Sequence, residues 1–211
     1  MGGSRDRAGR RSPGPQPARR VVSEEVRSAF ALRGVGAISQ FFTAAEFIRL
    51  CRHVDRKIRL ATFQSMAGDT QVSGAPCEYG DAEAERLLRV KASYLCDLLQ
   101  LDLVPTYSYM RLYRPGDRLP PHRDRPACEI TVSAPLAADC GWPLRILVEG
   151  SPFEFAPPAR DAVVFRGHEL LHWRETLSGN RPVAQVLLHY VQRRGPCQSW
   201  AYDRRPYPPA E

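Results

Sequence analysis

Tyr107-Ser-Tyr-Met-Arg-Leu-Tyr113, followed nine residues later by His122-Arg123-Asp124, decides how this 211-residue chain is read. The first run alternates with period two, the mark of a strand with one buried face. In extended chain, residues i and i+2 leave the same side, so His122 and Asp124 can grip one metal ion together. His172, fifty residues after His122, offers a third donor from a distant strand. Two imidazoles and one carboxylate on one side of an ion leave three positions open, the arrangement suited to iron(II) and oxygen chemistry. Cysteine ligands would favour zinc or clusters, and the zinc-hydrolase pattern HxHxDH is absent. His168 competes with His172 for the distal position. The strand expected over Ala162–Phe165 precedes both, and His172 is preferred because it leaves the longer loop for reaching the metal. His53, in an amphipathic helix, and His189, in the last strand, read as structural.

Further strands are expected at Cys128–Leu136, Leu144–Glu149, Phe153–Phe155, Ala162–Arg166 and Val183–Val191, broken by Pro- and Gly-rich turns. Upstream, Thr43-Ala-Ala-Glu46 is a capping box opening a helix to about Leu60. Asp81 is the N-cap of a second helix, with Leu87, Leu88, Ala92, Leu95, Leu98 and Leu99 as its buried stripe. Helices followed by six or seven short strands predict an α+β chain: a double-stranded β-helix (jelly-roll) core with N-terminal helices packed outside. The expected organisation is a disordered basic tail over 1–20, one domain over 21–192 (helical part 43–101, jelly-roll part 105–192) and an irregular tail over 193–211. A short strand is expected near Ala31–Ile38, and 61–80 reads as a loop holding at most one strand.

The formal net charge of +7 is concentrated in the first residues. Six arginines against Asp6 give residues 1–20 a charge of +5, so the other 191 carry only +2. A near-neutral body argues against a nucleic-acid groove. No apolar run approaches the length needed to cross a bilayer, and the N-terminus has no apolar signal region. The six cysteines, at 51, 77, 96, 128, 140 and 197, are scattered without a CxxC, which predicts free thiols and a cytoplasmic setting.

The string Tyr113-x-x-Gly116-x5-His122-x-Asp124, with His172 and then Arg181 nine residues on, resembles the prolyl-hydroxylase-like branch of the iron(II)- and 2-oxoglutarate-dependent dioxygenases. The segments Pro-Thr-Tyr-Ser-Tyr, His-Arg-Asp-Arg-Pro-Ala-Cys-Glu-Ile and His-Trp-Arg-Glu are similar to those of uncharacterised bacterial oxygenases of that type. The likeness covers roughly residues 105–191. It implies iron(II) on His122, Asp124 and His172, dioxygen as oxidant, and 2-oxoglutarate as cosubstrate, with ascorbate as a possible stimulant. It also implies Arg181, aided by Tyr113, on the distal carboxylate of 2-oxoglutarate, because a guanidinium makes two parallel hydrogen bonds to a carboxylate. Arg174, Arg166 and Arg145 are the alternatives for that role, and a core aromatic is the alternative for Tyr113.

The implied activity is hydroxylation of a peptidyl side chain or small molecule, with release of succinate and CO2. Relatives that halogenate have a small residue at the carboxylate position, so Asp124 favours hydroxylation. The alkylated-base demethylases carry a second arginine where this chain has Leu187. A non-catalytic jelly-roll module that binds a metal or ligand, and a metal enzyme that does not use 2-oxoglutarate, are the competing classes.

Overall fold

The computed structural model describes residues 17–63, 71–136 and 141–206. In chain order it runs α1 (Pro17–Arg33), β1 (Val35–Ile38), α2 (Ala44–Arg59), β2 (Cys77–Tyr79), α3 (Ala82–Leu99), β3 (Leu103–Tyr113), β4 (Leu119–His122), β5 (Ile130–Pro135), β6 (Leu144–Val148), β7 (Ser151–Phe155), β8 (Ala162–Phe165), β9 (His172–Arg174) and β10 (Val183–Gln192). A short 3₁₀ turn occupies Pro126–Cys128, and a kinked 3₁₀ segment occupies Gln198–Arg204.

The strands form two antiparallel sheets. One has six strands in the order β1-β8-β5-β10-β3-β2, the other four in the order β4-β9-β6-β7. Period-two alternation divides the large sheet cleanly. On β10, Ala184, Val186, Leu188 and Tyr190 join the main apolar core with the helices. Gln185, Leu187 and His189 instead line a cavity. On β3, Met110 and Leu112 face the helices, while Tyr107, Tyr109, Arg111 and Tyr113 face the cavity. Val163 and Phe165 of β8 pack with Leu144, Ile146 and Val148 of β6, which joins the two sheets through a second apolar cluster. The helices thus cover one face of the large sheet, and the small sheet stands over part of the other.

Both expected helix starts are present. Thr43 and Glu46 close a reciprocal capping box, and Asp81 accepts from the backbone N–H groups of Glu83 and Ala84. The basic tail expected over 1–20 is too long by four residues, because α1 begins at Pro17; residues 1–16 lie outside the described residues. Proline suits a first helical position, arginine is a good helix former, and Val26 and Phe30, one turn apart, seat the helix in the core. α1 ends where Gly34 takes φ +72° and donates to the Phe30 carbonyl. The chain then enters β1, so residues 31–33 are helix and only 35–38 of the expected Ala31–Ile38 strand are extended.

The C-terminal region is less irregular than its composition predicts. Cys197 is buried with Val104 and Val191, and Trp200 packs on that cluster. β3 also starts earlier than expected and runs through Pro105. That proline faces Tyr190 on β10, while β2 pairs only with residues 109–111, so no ladder bond is lost for want of its N–H. Among the described residues no helix is long and apolar enough to cross a membrane. The five described cysteines are free; Cys140 lies outside the described residues.

Candidate metal centre

β4 reads Leu-Pro-Pro-His, and its two prolines suit the edge position it holds in the small sheet. It delivers His122 at its last residue, directly opposite His172, the first residue of β9. The distal histidine therefore lies on a strand paired with the first ligand's strand, rather than on a loop trailing from β8. Asp124 lies two residues beyond the end of β4, where its N–H donates to the Gly167 carbonyl at 2.9 Å. Arg123 Nε donates to the Glu169 carbonyl at 2.8 Å, which fastens the His-Arg-Asp turn to the segment leading into β9.

The three side chains converge. Asp124 Oδ1 is 3.5 Å from His122 Nε2 and 3.6 Å from His172 Nε2. Each histidine engages the carbonyl two residues before it through Nδ1 at 2.9 Å: Pro120 for His122 and Leu170 for His172. With a proton on each Nδ1, both Nε2 lone pairs are directed at the Asp124 side, as metal-binding histidines require. Cis donors ~2.1 Å from one ion stand about 3 Å apart, so a small contraction would close the set on a metal. His168, the rival, contacts the Asp124 carbonyl at 3.4 Å and is not among the converging donors.

Burial alone would raise the Asp124 carboxyl. In the metal-free site the facing imidazoles of His122 and His172 outweigh it and hold the acid ionised, well below the usual carboxylate range. Its other oxygen, Oδ2, accepts from the Thr131 hydroxyl at 3.1 Å, and Thr131 Oγ1 lies 3.0 Å from His189 Nδ1. Burial lowers the His189 imidazole to about 4, so it is neutral at physiological pH and can donate through Nδ1. His189, read from the sequence as structural, reaches the candidate metal site through its neighbours: the path runs His189, Thr131, Asp124.

A second cluster, Asp124 with Cys128 and His189, shares the carboxylate. Burial and the charge of Asp124 raise the Cys128 thiol well above its ordinary value, and its sulfur meets the Tyr107 hydroxyl at 3.0 Å. A protonated thiol is a poor ligand, so the histidine pair is the better metal set.

Gly167 makes room for this packing. A Cβ there would sit 2.5 Å from Thr131 Oγ1 and 2.9 Å from the Cys128 carbonyl oxygen, and closer still to Asp124 Oδ2. At the rim, Arg125 donates to Asp203 through both Nη atoms at 2.8 Å, and the Tyr79 hydroxyl donates to the same carboxylate. The C-terminal segment thus clamps the residue following Asp124.

The donor atoms open onto a cavity of about 390 Å³, within the range of small-molecule sites. Tyr113, 3% exposed, lies on its wall edge-on to Trp142. Arg181 does not reach it: the residue is exposed, ahead of the first residue of β10. Of the alternatives, Arg145 is engaged at the surface by Glu154 and Glu175, and Arg166 pairs with Glu169. Arg174 does line the cavity, as does Arg111, which the sequence reading passed over. The signal for Arg111 was present, because it shares the strand phase of Tyr107, Tyr109 and Tyr113.

No family model matches the sequence, and no curated relative is found. Solved structures do match the fold. A prolyl-4-hydroxylase from Pseudomonas putida is 21% identical, with a TM-score of 0.66 over 82% of this chain and all of the other. A Trichoplax adhaerens prolyl hydroxylase, solved with a hypoxia-inducible-factor peptide, is 15% identical, with a TM-score of 0.65 over 81% of this chain and 89% of its own. The α-ketoglutarate-dependent epimerase SnoN of nogalamycin biosynthesis is 13% identical, with a TM-score of 0.67 over 82% and 84%. This chain has the fold of the 2-oxoglutarate and iron(II) oxygenases.

Proposed function

We propose that the protein is an iron(II)- and 2-oxoglutarate-dependent oxygenase, its core a double-stranded β-helix, that hydroxylates a peptidyl side chain or a small molecule. The carrying observation is the convergence of His122 Nε2, His172 Nε2 and Asp124 Oδ1 at the wall of the cavity. When bound there, iron(II), 2-oxoglutarate and dioxygen would supply the oxidising chemistry, one oxygen atom entering a C–H bond and the other the succinate that is released with CO2. The protein's part is to hold and shield. His122 and His172 would donate neutral nitrogen lone pairs, kept in that tautomer by the Pro120 and Leu170 carbonyls. Asp124, kept ionised, would cancel one positive charge of the metal. Thr131, backed by His189, holds the free carboxylate oxygen and so fixes which oxygen is presented.

The test is turnover of 2-oxoglutarate to succinate by purified protein with added iron(II) and ascorbate, followed by a panel of peptides and metabolites. His122→Ala and Asp124→Ala should abolish succinate formation and iron retention while circular dichroism stays unchanged. His168→Ala should retain both. Wild-type protein that binds neither iron(II) nor 2-oxoglutarate would refute the proposal.

A further inference from the structure

We infer that the solvent face of α2 is a docking surface for an acidic polypeptide segment, gripped by Arg49, Arg52, Arg56 and Arg59. The inference stands apart from the oxygenase reading, because α2 belongs to the helical layer and the candidate metal donors line the cavity on the other face of the large sheet.

The four arginines recur at intervals of three, four and three residues, and all are exposed. At about 100° per residue they fall within an arc of roughly 80° and run about 15 Å along the helix. Leu50 and Val54, buried in the main apolar core, mark the opposite side. The other charges of α2 are satisfied within the fold: Lys57 pairs with Glu78 and Asp81, and Glu46 with Lys91. The arginines are not. Among the described residues Arg49, Arg52 and Arg59 have no ion-pair or hydrogen-bond partner, and the Arg56 guanidinium meets only His53 Nδ1, at 3.4 Å. Asp55, the remaining acid of the helix, is exposed and forms no ion pair with them. Like charges three and four residues apart on a helix destabilise it, so this row is a cost that nothing inside the fold returns.

The partner's class follows from the charge and from what flanks it. Arginine forks hold carboxylates through paired donors, and arginine is enriched at protein interfaces where lysine is depleted. A segment with carboxylates at matching spacing would meet all four. Ile48 and Leu60, next in sequence to the first and last arginine, are 48% and 65% exposed and offer such a segment an apolar contact at each end. A nucleic acid is the poorer fit. A binder that engages about 6–10 phosphates draws cations from several elements. Here the row is confined to one helix, and the chain beyond residue 20 carries a net charge of only +2.

The experiment uses the full chain and two fluorescent helical peptides, with circular dichroism as the check on folding. One peptide carries glutamates at positions i, i+3, i+7 and i+10 and a leucine at each end. The other has the same residues with the glutamates dispersed around the helix. Anisotropy should show wild type binding the phased peptide on the order of 10-fold more tightly than the dispersed one, the sum of several exposed ion pairs. Arg49→Gln, Arg52→Gln, Arg56→Gln and Arg59→Gln combined should erase that preference, and glutamine keeps the helix. If the fourfold variant fails to fold, Arg52→Glu with Arg56→Glu decides the matter: it should lose the glutamate peptide and take up its lysine counterpart. Arg5→Gln, Arg7→Gln, Arg10→Gln and Arg11→Gln combined, in the basic N-terminal stretch, should leave the preference intact. A preference that survives the α2 changes, or vanishes with the N-terminal ones, would overturn the inference. So would a wild type that binds the two peptides alike or not at all. Duplex RNA bound more tightly than the phased peptide, and released by the α2 changes, would overturn it in favour of a nucleic-acid partner.

Discussion

Gly167 is required by space rather than by backbone angle, since the atoms that a Cβ would strike belong to Asp124, Thr131 and Cys128. The Cys128 contact is backbone and cannot rotate away. Gly167→Ala should therefore push Asp124 off its oxygen position and weaken metal binding by 10- to 100-fold, the usual cost of disturbing groups behind a ligand. Iron(II) titration would measure it, and wild-type affinity in a folded variant would show that the loop yields. His122 and Asp124 were legible as a pair, because two-residue spacing is a local property of extended chain. Arg111 was legible too, through strand phase. Gln185, buried on the cavity wall with no hydrogen-bond partner for its amide among the described residues, was not, since nothing in a glutamine's neighbours along the chain says that its amide will lack a partner.

At the scale of elements, the C-terminal segment is the main departure from expectation. Proline and arginine content predicted irregular chain, but Trp200, Asp203 and Arg205 tie Gln198–Arg204 to β3, to α3 and to the residue after Asp124. Arg205 reaches the Thr106 carbonyl at 2.7 Å as well as Glu85. Asp203→Ala removes the shared acceptor of Arg125 and Tyr79 and should cost about 1–3 kcal/mol, as for a hydrogen-bonded charged group. Urea unfolding would measure it; no loss of stability would mean the clamp is only a surface contact. β4 and β9 escaped the sequence reading for a related reason. Each is only three or four residues long, and pairing between them, not propensity, makes them strands.

For the molecule as a whole, His189 couples the buried site to global stability. Its folded pKa is about 4 against an ordinary 6.5, so between those values the unfolded chain binds a proton that the folded chain refuses. This contribution is complete above pH 6.5 and is lost as pH falls toward 4, a loss of about 3 kcal/mol at the low end. Metal-free protein should show its thermal midpoint falling across that window, and His189→Gln, which keeps a donor for Thr131, should flatten the slope. An unchanged slope in the variant would assign the pH dependence to other groups.

The sequence by itself determined the alternation of the strands, both helix caps and the pairing of His122 with Asp124 as candidate donors, because each depends on spacing or on chemistry within a few residues. Only the tertiary structure decided which arginines face the cavity, that His172 stands opposite His122, and that the C-terminal segment closes on Arg125. Those outcomes depend on register between strands distant in the chain and on which faces two sheets turn toward each other, and no local pattern encodes either.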